Sequence, residues 1–253
     1  MSHPYFFIKS SQVTGAKILL SDKDELKHLC KVLRCKPGDI VYFSDNERSI
    51  YRARTLSIDK DEGLFEVEEK HDLEKSRIGK TLFQCILKKN AMELVIQKSV
   101  EIGVDSIIPV ISSRVVPDIS DRNKKTTRWQ KIADEAAKQC KRQARCLIGE
   151  PIKITNIEPS SYDLFYVPHE AVSTIKGGDM VSHIISLEPP ANIGVLIGPE
   201  GGLSEDEAGL LEIKGAVTTG LGKNILRAET ASIYFLSILD YLVKSKKQDQ
   251  ELN

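Results

Sequence analysis

Residues 193–207 read IGVLIGPEGGLSEDE. The apolar run Ile193-Gly194-Val195-Leu196-Ile197 has the length and composition of a strand buried on both faces. It passes into Gly198-Pro199-Glu200-Gly201-Gly202 and then into Ser204-x-x-Glu207, a capping box that opens a helix. Strand, glycine-rich turn and capped helix form the repeating unit of a parallel α/β sheet, and such sheets take ligands at the carboxyl ends of their strands. Glycines at that place let backbone N–H and C=O groups approach a ligand closely. The same glycines also suit a plain tight turn. The stretch is not GxGxxG and lacks a P-loop lysine, which disfavours a nucleotide phosphate site.

Upstream the alternation recurs. Residues 81–87 read as a strand, 89–102 as a helix ended by Gly103, and 104–111 as a second strand. Thr126 or Thr127 is the expected cap of a helix with Trp129, Ile132, Ala133, Ala136, Ala137 and Cys140 on one face and Lys131, Lys138, Lys141 and Arg142 on the other. Leu164-Phe165-Tyr166-Val167 is a further buried strand, and a last helix is expected from about Glu229 to Val243. The pattern predicts a mostly parallel sheet covered on both faces. The first seventy residues differ. Short β-rich runs at 40–43, 50–56 and 64–67 are separated by turn residues, among them Pro37-Gly38-Asp39 and Asp45-Asn46, and predict a small antiparallel barrel. Ser21 is the expected cap of a helical segment before them. Polar residues 69–79 read as a linker, giving domains 1–73 and 74–253.

Residues 221–231, LGKNILRAETA, are the second unusual connector. Glu229 and Thr230 suit the first turn of a helix, but Arg227 does not, because a cation is disfavoured at the positive end of a helix. One reading is a salt bridge from Arg227 to Glu200 or Glu229 that holds two loops. The other is a cation offered to an anionic or electron-rich substrate.

Composition narrows the classes. The chain has 253 residues, 41% hydrophobic and 28% charged, an ordinary balance for a folded soluble protein. Lys+Arg and Asp+Glu are 36 each, so total charge points to neither nucleic acid nor membrane. By segment, residues 1–73 carry net −1, 74–149 net +8 and 150–253 net −7. A basic middle can set up a local positive field, or can be a solvated face. Five cysteines without a CxxC pair argue against a disulfide framework or a zinc site and fit reduced thiols in the cytoplasm. Five histidines in no ligand spacing leave a metal without support. The start reads as no signal peptide, and no apolar run is long enough to span a bilayer, so a cytoplasmic location is expected.

The two connectors together resemble the cofactor motifs of SPOUT-class RNA methyltransferases, and the chain nearly end to end resembles the RsmE family. The resemblance runs through His28-Leu29-Cys30-Lys31-Val32-Leu33-Arg34 with Pro37-Gly38-Asp39, through Lys88-Lys89, Met92-Glu93, Gln97-Lys98 and Glu101-Ile102-Gly103-Val104, and through Arg128-Trp129 with Glu135-Ala136-Ala137-Lys138-Gln139-Cys140. IGPEGGLSEDE and LGKNILRAETA are its most specific pieces. The resemblance implies an α/β SPOUT-type knotted methyltransferase domain, with a mostly parallel sheet and a C-terminal trefoil knot, preceded by a small PUA-like β-barrel. It implies S-adenosylmethionine-dependent methylation of uridine N3 in small-subunit (16S) ribosomal RNA, on naked RNA or the assembled 30S subunit, by a homodimer without metal.

The implied cofactor contacts are Leu196-Ile197-Gly198-Pro199-Glu200-Gly201-Gly202 and Leu221, Gly222, Asn224, Ile225 and Leu226. Arg227 and Glu229 are the implied catalytic residues. Arg34, Lys36, Lys138 and Arg142 are the expected RNA contacts; Arg52 and Arg54 are either further contacts or the solvent face of a strand. The alternatives are another SPOUT enzyme, such as a transfer-RNA ribose 2′-O methyltransferase, and a non-catalytic RNA-binding assembly factor.

Overall fold

In the computed structural model, which describes residues 3–73, 76–88, 90–114, 122–169 and 177–251, the chain divides into two units. One holds residues up to 75 together with 137–145, the other 76–136 and residues from 146 on. Lys89, part of the resemblance, lies outside the described residues.

The first unit is a six-stranded sheet of β1 (Tyr5–Phe7), β2 (Val13–Thr14), β3 (Lys17–Leu20), β4 (Ile40–Ser44), β5 (Ser49–Ile58) and β6 (Gly63–Asp72). Its order is β1-β4-β5-β6-β3-β2. Only the β1–β4 pair is parallel. Strands near both ends of this ladder feed one core: Phe6, Ile18, Val41, Phe43 and Phe65 are buried together. The sheet therefore curls around that core. Leu26 of α1 (Lys23–Lys27) and Leu29 of the π-helical turn after it close the core. The cap of α1 is Asp22, not Ser21. Its Oδ1 accepts the N–H groups of Asp24 at 2.9 Å and Glu25 at 3.0 Å, leaving Ser21 one residue too early to serve.

The predicted turns form where expected. Gly38 has φ +96° and Asn46 φ +59°, the left-handed region that these residue types tolerate. Asp45 holds the β4–β5 turn: it accepts the N–H groups of Glu47, Arg48 and Ser49 at 2.8–3.0 Å and the Tyr51 hydroxyl at 3.0 Å. Burial pushes its carboxyl up, yet these donors hold it below the ordinary carboxylate value.

The second unit is a seven-stranded, wholly parallel sheet. Along the chain come β7 (Ile78–Cys85), α2 (Asn90–Ile102), β8 (Ser106–Ile111), α3 (Arg122–Gln139), β9 (Leu147–Ile148), β10 (Ile152–Lys153) and β11 (Leu164–Pro168). Then follow α4 (Gly177–Ser186), β12 (Ala191–Ile197), α5 (Glu205–Ile213), β13 (Val217–Thr219) and α6 (Ala228–Glu251). The strand order is β10-β8-β7-β12-β11-β13, with β9 beside β8. Being parallel, the central strands β8, β7, β12 and β11 end on one edge.

Both long helices exceed their sequence limits. α3 starts at Arg122 rather than at a Thr126 or Thr127 cap, since the intervening Lys124 and Lys125 are good helix formers. α6 continues past Val243 to Glu251. Lys244 pairs with Asp240 at 2.7 Å within it, and Lys246 donates to the Ile184, Ile185 and Leu187 carbonyls at the end of α4. Two buried contacts seat α6 on β7: Lys80 with Asp240 at 2.6 Å and the Ser232 hydroxyl donating to Gln84 Oε1 at 2.6 Å. Among the described residues no helix is long and apolar enough to cross a membrane.

Candidate functional site

A cleft of 310 Å³ opens at the carboxyl edge of the parallel sheet, within the size range of small-molecule sites. Three chain segments line it. The loop after β12 contributes Ile197 to Leu203, the loop before α6 contributes Leu221 to Leu226, and the end of β11 contributes Pro168 and His169. Ala228 and Ala231 supply a wall from the first turn of α6. The two stretches singled out in the sequence therefore meet.

The geometry of the first loop is set by its glycines and its cap. Gly202 sits at φ +69° and donates its N–H to the Pro199 carbonyl at 3.0 Å, closing a tight turn. A Cβ on Gly198 would stand 3.3 Å from Leu203 Cγ. Ser204 Oγ accepts the Glu207 N–H at 3.2 Å while Glu207 Oε2 accepts the Ser204 N–H at 3.0 Å, which is the predicted capping box. Gly222 at φ +111° makes the corresponding bend in the second loop. The cleft wall is thus mostly backbone and aliphatic carbon.

Residue by residue, the expected contacts divide. Ile197, Gly198, Pro199, Glu200, Gly201 and Gly202 line the cleft, as do Leu221, Gly222, Asn224, Ile225 and Leu226. Leu196 does not. It is fully buried with Phe83, Phe165 and Leu211 in the core beneath, because neighbouring strand residues point to opposite faces. Ile225 is 86% exposed, so it forms a rim rather than an enclosing wall. Pro168, His169, Leu203, Lys223, Ala228 and Ala231 line the cleft without having been singled out. The strand-end rule applied to Leu164–Val167 points to the first two.

Arg227 and Glu229 are not among the residues that line the cleft, although Leu226 and Ala228 on either side of Arg227 are. Arg227 immediately precedes α6, and its carbonyl accepts the Ala231 N–H at 2.8 Å. Its guanidinium is exposed and makes no ion pair with a described residue, so the bridge to Glu200 or Glu229 does not form. Glu200 instead accepts the Lys88 N–H at 3.0 Å. Glu229 is half-buried in the first turn of α6, where the helix dipole favours a carboxylate. Cys85, at the end of β7, is fully buried and is not among the residues that line the cleft. Burial pushes its thiol up to about 12, outweighing a Ser112 hydrogen bond that lowers it.

The expected RNA contacts also divide. Arg34 and Lys36 are exposed, and Arg34 holds a left-handed φ of +53°. Arg142 is half-buried. Lys138 does not face solvent: its side chain is 9% exposed, bonds both oxygens of Glu25 at 2.7 Å and lies 5.1 Å from the centre of the Phe6 ring. The Glu25 carboxylate of α1 neutralises this lysine. Arg52 and Arg54 share Glu68, which fits the strand-face reading. Among the described residues no cluster of His, Cys, Asp or Glu could hold a metal ion.

Comparison with known proteins adds the chemistry. Residues 74–240 match the family described as RNA methyltransferase domain, and residues 20–68 the family described as RNA methyltransferase PUA domain. The chain is 28% identical to the ribosomal RNA small subunit methyltransferase E of Bacillus subtilis, over 99% of this chain and all of that one. It is 32% identical to the same enzyme of Mesomycoplasma hyopneumoniae, over 84% and 89% of the two chains. A crystal structure of the Neisseria gonorrhoeae enzyme bound to S-adenosyl methionine superimposes with a TM-score of 0.81 at 26% identity, covering 95% of this chain and 98% of that one.

Proposed function

The chain belongs to the ribosomal RNA small subunit methyltransferase E family, and from that premise we propose that it transfers a methyl group from S-adenosylmethionine to N3 of a uridine in 16S ribosomal RNA. The observation that carries the reading is the meeting of two glycine loops, from separate strand-to-helix connections, on one cleft, the second loop running directly into the exposed Arg227. The residues present fit the cofactor. Gly201 offers an N–H that donates to no described group, Gly202 and Gly222 hold bends that a side chain would strain, and the aliphatic Leu221 and Leu226 suit an adenine face.

When bound, S-adenosylmethionine supplies an electrophilic methyl group on a sulfonium. The chain's own groups deal with the base. Uridine N3 carries a proton and is paired in duplex RNA, so the base is first taken from its stack, at a cost of about a few kcal/mol. Arg227, always charged and able to donate two hydrogen bonds, favours negative charge on the uracil oxygens and so stabilises the deprotonated base. Glu229, two residues on in the first turn of α6, accepts the N3 proton. The cleft walls hold donor and acceptor in line, which removes much of the entropic barrier.

Residues 1–73 act as the PUA-like RNA-binding domain, with Arg34 and Lys36 on phosphates, and 74–253 as the methyltransferase domain with a knotted carboxyl end and Arg142 as a further phosphate contact. The reading includes a cytoplasmic homodimer acting on ribosomal RNA, free or in the 30S subunit. An apolar groove of 210 Å³ beside the cleft, between α4 and α6 and including Met180, Tyr234, Phe235 and Leu242, supports a dimer contact. Mass spectrometry of ribosomal RNA nucleosides from cells with and without the gene tests the function. Loss of 3-methyluridine alone is expected; its persistence overturns the assignment.

A further inference from the structure

We infer that Arg114, in the turn after β8, is a positioning residue for the cofactor loop, acting by fixing the orientation of the Gly201–Gly202 peptide. The inference rests on the methyl-donor reading of the cleft. Consecutive glycines let the loop approach a ligand, but they are also the least restrained dipeptide in a chain. Left alone, that peptide plane would sample many orientations, and cofactor binding would bear the cost of ordering it.

The structure holds both ends of this peptide. Its carbonyl, on Gly201, accepts from Arg114 Nη1 at 2.7 Å. Its N–H, on Gly202, donates to the Pro199 carbonyl at 3.0 Å. The aliphatic stem of Arg114 packs along the glycine as well, since a Cβ on Gly201 would stand 3.8 Å from both Cβ and Cδ of Arg114. The Gly201 carbonyl therefore has a protein cation as its partner rather than a cofactor sulfonium. The Gly201 N–H, in the preceding peptide, donates to no described group.

Neighbouring contacts give the anchor a firm base. The Ser113 N–H donates to Glu207 Oε1 at 2.6 Å, while the other oxygen of Glu207 closes the α5 capping box. Glu200 Oε1 takes the Lys88 N–H at 3.0 Å. The loop is thus tied at Glu200, Gly201 and Glu207 to the segments that follow β7 and β8. Of these ties, Arg114 alone reaches the double glycine. A planar guanidinium suits the task because it binds a carbonyl in a fixed direction.

The test measures S-adenosylmethionine binding to the full chain by calorimetry, with ribosomal RNA binding and thermal unfolding followed in parallel. Arg114→Ala is expected to weaken cofactor affinity about tenfold, the usual effect of losing one hydrogen bond to a charged group. RNA affinity and the unfolding midpoint stay unchanged, and Arg114→Lys, which keeps a donor on the same stem, recovers part of the loss. Equal cofactor affinity in wild type and Arg114→Ala overturns the inference and leaves the methyl-donor reading standing. A loss of RNA affinity with cofactor affinity intact overturns it too, and makes Arg114 a phosphate contact. Absence of cofactor binding by the wild-type chain overturns both readings.

Discussion

A guanidinium at the amino end of a helix opposes the helix dipole, and Arg227 occupies that position without a described counter-ion. On the proposed mechanism, an electron-rich base offsets that electrostatic cost when it arrives. Arg227→Ala should lower methyl transfer by about 10²-fold or more, the scale for losing one transition-state donor. A radiolabelled-methyl assay on 16S ribosomal RNA checks this; turnover near wild type would remove Arg227 from the mechanism. Arg227 stands out in the sequence because it breaks a local rule, and the structure leaves it exposed. Leu196 was not legible. In a strand buried on both faces every side chain is apolar, so nothing in the pattern separates Ile197, which lines the cleft, from Leu196, which lies in the core. Lys138 is hidden from the sequence for a related reason: helical spacing places it on the polar face of α3, while its partner Glu25 stands 113 residues away.

Among the elements, β12 shows how sequence dictates packing. Gly194 faces an aromatic cluster in which Phe83, Tyr162 and Phe165 pair at ring-centre distances of 5.3–5.7 Å. A Cβ on Gly194 would come within 2.4 Å of Phe165 Cδ2. Gly194→Ala should therefore destabilise the second unit by about 1–3 kcal/mol, the usual cost of overpacking, read as a lower urea midpoint with unchanged slope. A midpoint equal to wild type would mean that Phe165 moves aside at no cost. The sequence shows β12 as a buried strand and α5 as a capped helix, since both signals are local. It does not show that β12 lies between β7 and β11, or that the β11 end brings His169 to the cleft. Strand order is a long-range property that no local window encodes.

At the level of the whole molecule, a neutral total conceals cations committed to different tasks. Arg52, Arg54 and Lys138 are spent on Glu68 and Glu25, whereas Arg34 and Lys36 stand exposed. Reversing both, Arg34→Glu with Lys36→Glu, should weaken ribosomal RNA binding and make the log–log salt slope shallower by about 1.5–2. Filter binding across a salt series checks this, and an unchanged slope would return both residues to plain solvated surface. Segmental net charge does not tell which cations are free, because ion pairing depends on the fold: the exposed Arg34 and Lys36 lie in the segment of net −1, while Lys138 of the +8 segment is paired with Glu25. One last consequence concerns timing. Lys88 and Glu200, hydrogen-bonded beside the cleft, are 112 residues apart in the chain, and the other rim of the cleft comes from residues 221–231. A growing polypeptide emerging from the ribosome therefore has no methyl-donor pocket until nearly all of the second unit has been translated. Nascent chains stalled earlier would be catalytically silent rather than partly active.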